Sequence, residues 1–147
     1  MTYDVQPAAG KFYGAKFVYP VRVYYEDTDA GGIVYYANYL RFAERARTEF
    51  IRALGCNQQD ALEAEDKCGF TVRSCTTDYK LPAVLDDALA VTCELRDAKG
   101  ASAVMFQEIY RGDTLLATVE VKVAYFNLGR KRPVRIPSEL LNKLSCL

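Results

Sequence analysis

Hydrophobic and polar positions along this chain follow two different periods. In "KFVYPVRVYYE" they alternate: Val21, Val23 and Tyr25 fall on one face, Arg22 and Tyr24 on the other, as in a half-buried strand. Pro20 favours an edge or an irregular start for that strand. From Asn38 to Leu54 the period lengthens. Tyr39, Phe42, Ala43, Ala46, Phe50, Ala53 and Leu54 recur at three- and four-residue steps, which is one apolar stripe of a helix stopped by Gly55. Asn57 is placed to cap a short second helix over "NQQDALEAED". After Gly69 the short period returns in "FTVRSCTTDY", "ALAVTCELRD", "ASAVMFQEIY" and "TLLATVEVKVAYF". Pro137-Ser138 opens a short terminal helix, "SELLNKL".

One strand, a long helix, a short helix and four strands predict a two-layer α+β domain with a five-stranded, mainly antiparallel sheet. Residues 1–15, with Pro7, Gly10 and Gly14, read as a loose arm, and 16–147 as one domain. One long helix covers only part of such a sheet. The uncovered apolar area and the sheet edges predict a homo-oligomer, a dimer or tetramer.

Composition narrows the chemistry. With 147 residues there is room for one domain with a real core. Lys plus Arg and Asp plus Glu are 19 each, so no net field points to nucleic acid or an anionic membrane. No transmembrane run and no signal-peptide pattern is visible, and the cytoplasm is the expected location. The five cysteines, Cys56, Cys68, Cys75, Cys93 and Cys146, show no metal-type spacing and read as inert thiols. There is no histidine. Ser-His-Asp and Cys-His catalysis and imidazole metal sites are thereby excluded, and acid/base work passes to carboxylates, Lys, Tyr, Cys or the backbone.

The segment "YYEDTDAGGIVYYANY" then stands out, because Glu26, Asp27 and Asp29 crowd between two aromatic stretches. As a calcium loop it fails: Gly31 sits where a ligand is needed, and Asn38 where a bidentate Glu belongs. A phosphotransferase nucleophile belongs with a parallel sheet, which the downstream strands do not suggest. Two readings of the residues stay open. One is a polar loop whose acids favour the helix N-terminus by about 0.3–1 kcal/mol per charge. The other is a carboxylate beside free helix N–H groups that polarise a carbonyl, a combination suited to acyl transfer without histidine.

The stretch "VRVYYEDTDAGGIVYYANYLRFAERARTEFIRALG" resembles the opening of the hotdog-fold acyl-CoA thioesterases related to 4-hydroxybenzoyl-CoA thioesterase. More narrowly, it is similar to the bacterial branch associated with the Tol–Pal envelope system. The likeness continues through "FTVRSCTTDYKLPAVLDDALAV" and "KGAS" and covers most of residues 18–126. It implies a long central helix wrapped by the sheet, and hydrolysis of acyl-CoA or acyl-carrier-protein thioesters to free acid and thiol. It also implies that Asp29 is the catalytic base or nucleophile and that the backbone N–H of Tyr36 binds the thioester carbonyl. No cofactor is implied, because coenzyme A belongs to the substrate, and no metal.

Tyr25, Val34 and Asn38 are candidate substrate contacts, although Tyr25 also fits a core strand position and Asn38 a helix cap. Arg96 and Lys99, flanking the turn before "GASAV", are candidates for the coenzyme A phosphates, as is the cluster Arg130, Lys131 and Arg132. Many members of the branch carry histidine where this chain has Tyr36, which motivates a rival reading as a weakly catalytic acyl-binding scaffold. A hotdog dehydratase is disfavoured by the absence of histidine.

Overall fold

The computed structural model describes all 147 residues. In chain order the elements are β1 (Lys11–Tyr13), β2 (Lys16–Arg22), α1 (Asn38–Ala53), α2 (Gln58–Glu63), β3 (Cys68–Tyr79), β4 (Ala88–Lys99), β5 (Ser102–Arg111), β6 (Thr114–Asn127), β7 (Arg132–Pro133) and α3 (Ser138–Ser145). The strands form one antiparallel sheet in the order β1-β2-β4-β5-β6-β3, with β7 beside the end of β6. The α+β class and the long helix against an antiparallel sheet agree with the sequence reading.

The strand count does not. Seven strands replace the expected five, because β1 and β7 have only three and two residues, too few to show an alternating pattern. β1 lies inside the segment read as a loose arm. A tight turn at Gly14, with φ of +64°, folds it back on β2.

Helix α1 lies on β2, β4 and β6. Its stripe separates into two packed regions, one around Phe17, Phe50, Met105 and Val121, the other around Val23, Val34, Phe42 and Ile109. Between them sits a polar seam. Gln107 of β5 is fully buried; its amide donates to the Ala43 carbonyl (2.9 Å) and the Thr92 carbonyl (3.2 Å), and its oxygen accepts from Arg47 Nη1 (2.9 Å). Burying that amide is tolerable because each of its polar atoms is paired. The seam ties the middle of α1 to the centre of the sheet.

At the other end, Asn57 accepts from the Asp60 N–H and caps α2 as expected. Gly55, with φ of +88°, ends α1. No helix is long and apolar enough to cross a membrane.

Candidate active site

The strand alternation read through Tyr25 stops earlier in the structure. β2 ends at Arg22, and Tyr25–Asp27 form one 3-10 turn that leaves Tyr25 82% exposed instead of on the face of Val21 and Val23. The chain then closes a narrow loop. Thr28 and Val34 pair as an isolated bridge, Asp29 N–H donates to the Ile33 carbonyl (2.9 Å), and Gly32 N–H to the Asp29 carbonyl (3.0 Å). Gly32 has φ of +81°, a conformation that a side chain would strain.

Geometry separates the three acids. Glu26 is exposed. Asp27 is buried and bonded into the loop: its Oδ2 accepts the Tyr24 N–H at 2.8 Å, and its backbone carbonyl accepts from Tyr35 N–H and from Asn38 Nδ2, both at 2.9 Å. Asp29 is exposed, and its Oδ1 accepts the Gly31 N–H at 2.8 Å, while its Oδ2 has no partner in the chain. A Cβ on residue 31 would come within 3.2 Å of that Oδ1, so glycine leaves the carboxylate room. Asp27 is bonded into the loop, and Asp29 is the acid whose carboxylate stays exposed.

Downstream of the loop the chain turns into α1. Val34 N–H donates to the Ala83 carbonyl (2.9 Å) and Asn38 N–H to the Tyr35 carbonyl (2.8 Å). The N–H groups of Tyr36 and Ala37, between them, donate to no acceptor in the chain. Free amides at a helix start carry partial positive charge and suit a developing oxyanion. An aromatic wall surrounds them: the Tyr35 and Tyr36 rings are 4.9 Å apart, and Tyr79 from the end of β3 meets Tyr36 at 6.2 Å and Tyr39 at 5.5 Å. The Tyr36 hydroxyl beside it, and more weakly the charge of Asp29, raise the pKa of Tyr35 above the ordinary tyrosine value.

The other residues singled out from the sequence are distributed unevenly. Val34 is 2% exposed and belongs to the core beneath the loop. Asn38 is buried and holds Asp27, and Ala37 rather than Asn38 takes the cap position of α1. Tyr25 stands at the loop's outer rim. Arg96 lies with its guanidinium over the Phe106 ring at 4.6 Å, and Lys99 ends β4 opposite Ser102. β4 meets the end of β2 at Ala88, eight residues before Arg96, so roughly 26 Å of strand separates Arg96 from the Asp29 end of the sheet. One protomer does not bring Arg96 or Lys99 to the loop.

A small cavity of about 50 Å³, lined by Arg47, Ile51, Phe70, Met105 and Val123, lies further along α1. An open groove lined by Leu40, Arg41, Glu44, Val72 and Cys75 lies between α1 and the β3 edge. Neither includes Asp29, so the loop and helix start present an exposed face on the single chain. The residue missed in the sequence is Tyr79, whose hydroxyl donates to the Tyr36 carbonyl at 2.9 Å. Nothing in "TTDYK" sets that tyrosine apart from any other at a strand end.

Known proteins are similar to this chain in sequence and fold. Residues 23–144 match the model of the thioesterase-like superfamily. The acyl-CoA thioesterase YbgC of Haemophilus influenzae is 48% identical over 124 residues, covering 84% of this chain and 90% of that protein. The acyl-CoA thioester hydrolase YbgC of Escherichia coli is 45% identical over 126 residues, covering 85% and 92%. Among solved structures, a probable thioesterase from Bartonella henselae aligns with a TM-score of 0.80 at 34% identity, over 84% of this chain and 100% of that one. The family match begins at the exit of β2 and runs into α3, taking in the acidic loop, the helix start and the whole sheet beyond them: the chain belongs to the thioesterase-like superfamily.

Proposed function

We propose that this protein hydrolyses acyl-CoA thioesters to a free acid and coenzyme A, with Asp29 as the reacting carboxylate and the Tyr36 N–H as the carbonyl-binding donor. The observation that carries the mechanism is the pairing, across one short loop, of an Asp29 oxygen without a partner and a Tyr36 amide without an acceptor. The thioester carbonyl oxygen accepts from the amide, which draws charge off its carbon. Asp29 then removes a proton from water as that water attacks the carbon, and the C–S bond breaks to release the thiolate, which takes up a proton. In the nucleophilic variant the carboxylate itself attacks, the thiolate leaves, and water cleaves the resulting mixed anhydride. Neither route calls for a cofactor or a metal.

The exposed rim of Tyr25 and the open α1–β3 groove favour a site completed by a second copy of the chain. Arg96 and Lys99 are assigned to the coenzyme A phosphates of such a shared site. The close relatives named as acyl-CoA thioesterases favour coenzyme A over a carrier protein as the leaving group. All five cysteines are free, which suits the reducing cytoplasm.

The test is a panel of butyryl-, octanoyl- and benzoyl-CoA assayed with a thiol-reactive dye, alongside acyl-carrier-protein thioesters. Wild type should release thiol from at least one acyl-CoA. Asp29→Asn should lose about 10²–10⁴-fold in kcat with an unchanged circular-dichroism spectrum. Release of thiol from no member would reject the hydrolase and favour the acyl-binding scaffold; a variant within tenfold of wild type would remove Asp29 from the mechanism.

A further inference from the structure

Tyr79 reaches the proposed site from an element the acidic loop does not include. It is the last residue of β3, 43 positions away in sequence from Tyr36, and its hydroxyl donates to the Tyr36 carbonyl at 2.9 Å. That carbonyl belongs to the 36–37 peptide, whose other polar end is the Ala37 N–H, and this amide has no acceptor in the chain. A hydrogen bond accepted at a peptide oxygen pulls electron density toward it and makes the N–H of the same unit a better donor. The bond also fixes the plane of that peptide. Its neighbour carries the Tyr36 N–H, so two consecutive amides without acceptors lie directly ahead of the first residue of α1.

From this geometry we infer that Tyr79 is a positioning residue for the thioester carbonyl, acting through the 36–37 peptide to hold and polarise the Ala37 N–H as a second donor beside that of Tyr36. The inference rests on the hydrolase reading above and adds to it both the second amide and the residue that aims it.

The surroundings of Tyr79 suit the role. Its ring packs edge-on against Tyr36 and Tyr39, and the Tyr39 hydroxyl in turn accepts the Ala83 N–H at 3.0 Å. The hydroxyl of Tyr79 is thereby held at one place over the helix start. Burial first, then the nearby Cys75 and Tyr36, raise its pKa above the ordinary tyrosine value, so it stays protonated and able to donate at neutral pH. A tyrosine serving only to cover the core would have no need of its oxygen, because the ring alone supplies the apolar contact.

Tyr79→Phe removes that oxygen and keeps the ring. With whichever of butyryl-, octanoyl- and benzoyl-CoA wild type turns over fastest, kcat should fall about tenfold, while KM stays within about twofold and the melting temperature hardly moves. A spectroscopic measurement isolates the carbonyl. In the Asp29→Asn background the bound acyl-CoA survives, and its ¹³C-labelled thioester carbonyl stretch should shift to lower frequency on binding. The shift should be smaller in Asp29→Asn/Tyr79→Phe. A Tyr79→Phe enzyme with wild-type kcat, or an undiminished carbonyl shift in the double variant, overturns the role of Tyr79 while leaving Asp29 and the hydrolase standing. A fall in kcat accompanied by an equal rise in KM and a lowered melting temperature also overturns it, in favour of a structural tyrosine. If wild type itself turns over none of the three substrates, the hydrolase reading fails first and takes this one with it.

Discussion

Asp27 and Asp29 stand two positions apart in the same loop, and the physical difference between them is what each has already bonded. Asp27 is 6% exposed and its carboxylate satisfies the Tyr24 N–H in a part-buried bond, so deleting it strands that donor and empties a buried position. Asp27→Ala should destabilise the fold by about 1–3 kcal/mol. Asp29→Ala loses only an exposed bond to Gly31 and should stay within about 0.5 kcal/mol of wild type. Urea denaturation of the two variants, read beside their thioesterase rates, should give opposite orders: Asp27→Ala weaker in stability, Asp29→Ala weaker in turnover. A stability loss at Asp29 as large as that at Asp27 would mean that both acids merely build the loop. The sequence could not separate them, because adjacent acids in a polar turn look alike until their hydrogen bonds are known.

At the scale of elements, the turn before β4 holds the end of β2 in place. Val23 N–H donates to the Asp87 carbonyl (2.9 Å), Asp86 N–H donates to the Val23 carbonyl (3.0 Å), and Arg22 reaches the Asp86 carbonyl. Burial pushes the Asp87 carboxyl upward, but the Val84 N–H and the Arg111 guanidinium at 2.8 Å outweigh it and hold its pKa below the usual carboxylate range. A depressed folded pKa contributes stability above the unfolded value, and the contribution is lost as pH falls through the folded one. Asp87→Asn should therefore be about 1 kcal/mol less stable at pH 7, and the gap should begin to narrow only as pH falls below about 4, as urea midpoints at pH 7 and pH 3 would show. Gln107 makes a second prediction at this scale. Gln107→Leu leaves the Ala43 and Thr92 carbonyls and one Arg47 donor without their partner, and should cost about 2 kcal/mol, measured by the same denaturation. Much of this architecture was legible beforehand. α1, β5 and β6 follow the hydrophobic periods closely, because their burial is one-sided and sustained, whereas most of β3 is exposed. The short β1 and β7 and the 3-10 turn at Tyr25 were not legible, because long-range pairing and turn chemistry create them without a local apolar signature. Gln107, a polar residue sharing the inward face of Met105 and Ile109, was not singled out in the sequence, because its partners come from α1 and β4 and only the fold supplies them.

For the molecule as a whole, surface area points to a partner. A compact monomer of 16.5 kDa should expose roughly 7,600 Å², whereas this chain exposes 9128 Å². The extended residues 1–10 account for part of the excess. The rest includes the outer edge of β3, twelve residues long and paired on one side only, with Val72, Cys75 and Tyr79 exposed along it. A long edge of that kind is a template for another strand. The opposite edge is protected by the three-residue β1 and by Pro20, so β3 is where a second copy would add. Cys75 is exposed and makes no disulfide, which makes it a safe place to test the edge. Cys75→Lys puts a desolvation cost into the middle of such a pairing while leaving the protomer core untouched. Wild type should run as a dimer or larger assembly by light scattering at micromolar concentration, and Cys75→Lys should shift toward monomer with its circular-dichroism spectrum retained. Turnover should fall with the dimer fraction and recover as protein concentration rises, because the proposed site needs the second copy to close over Asp29. An active wild-type monomer would refute that dependence, and a variant still fully assembled would move the interface away from β3.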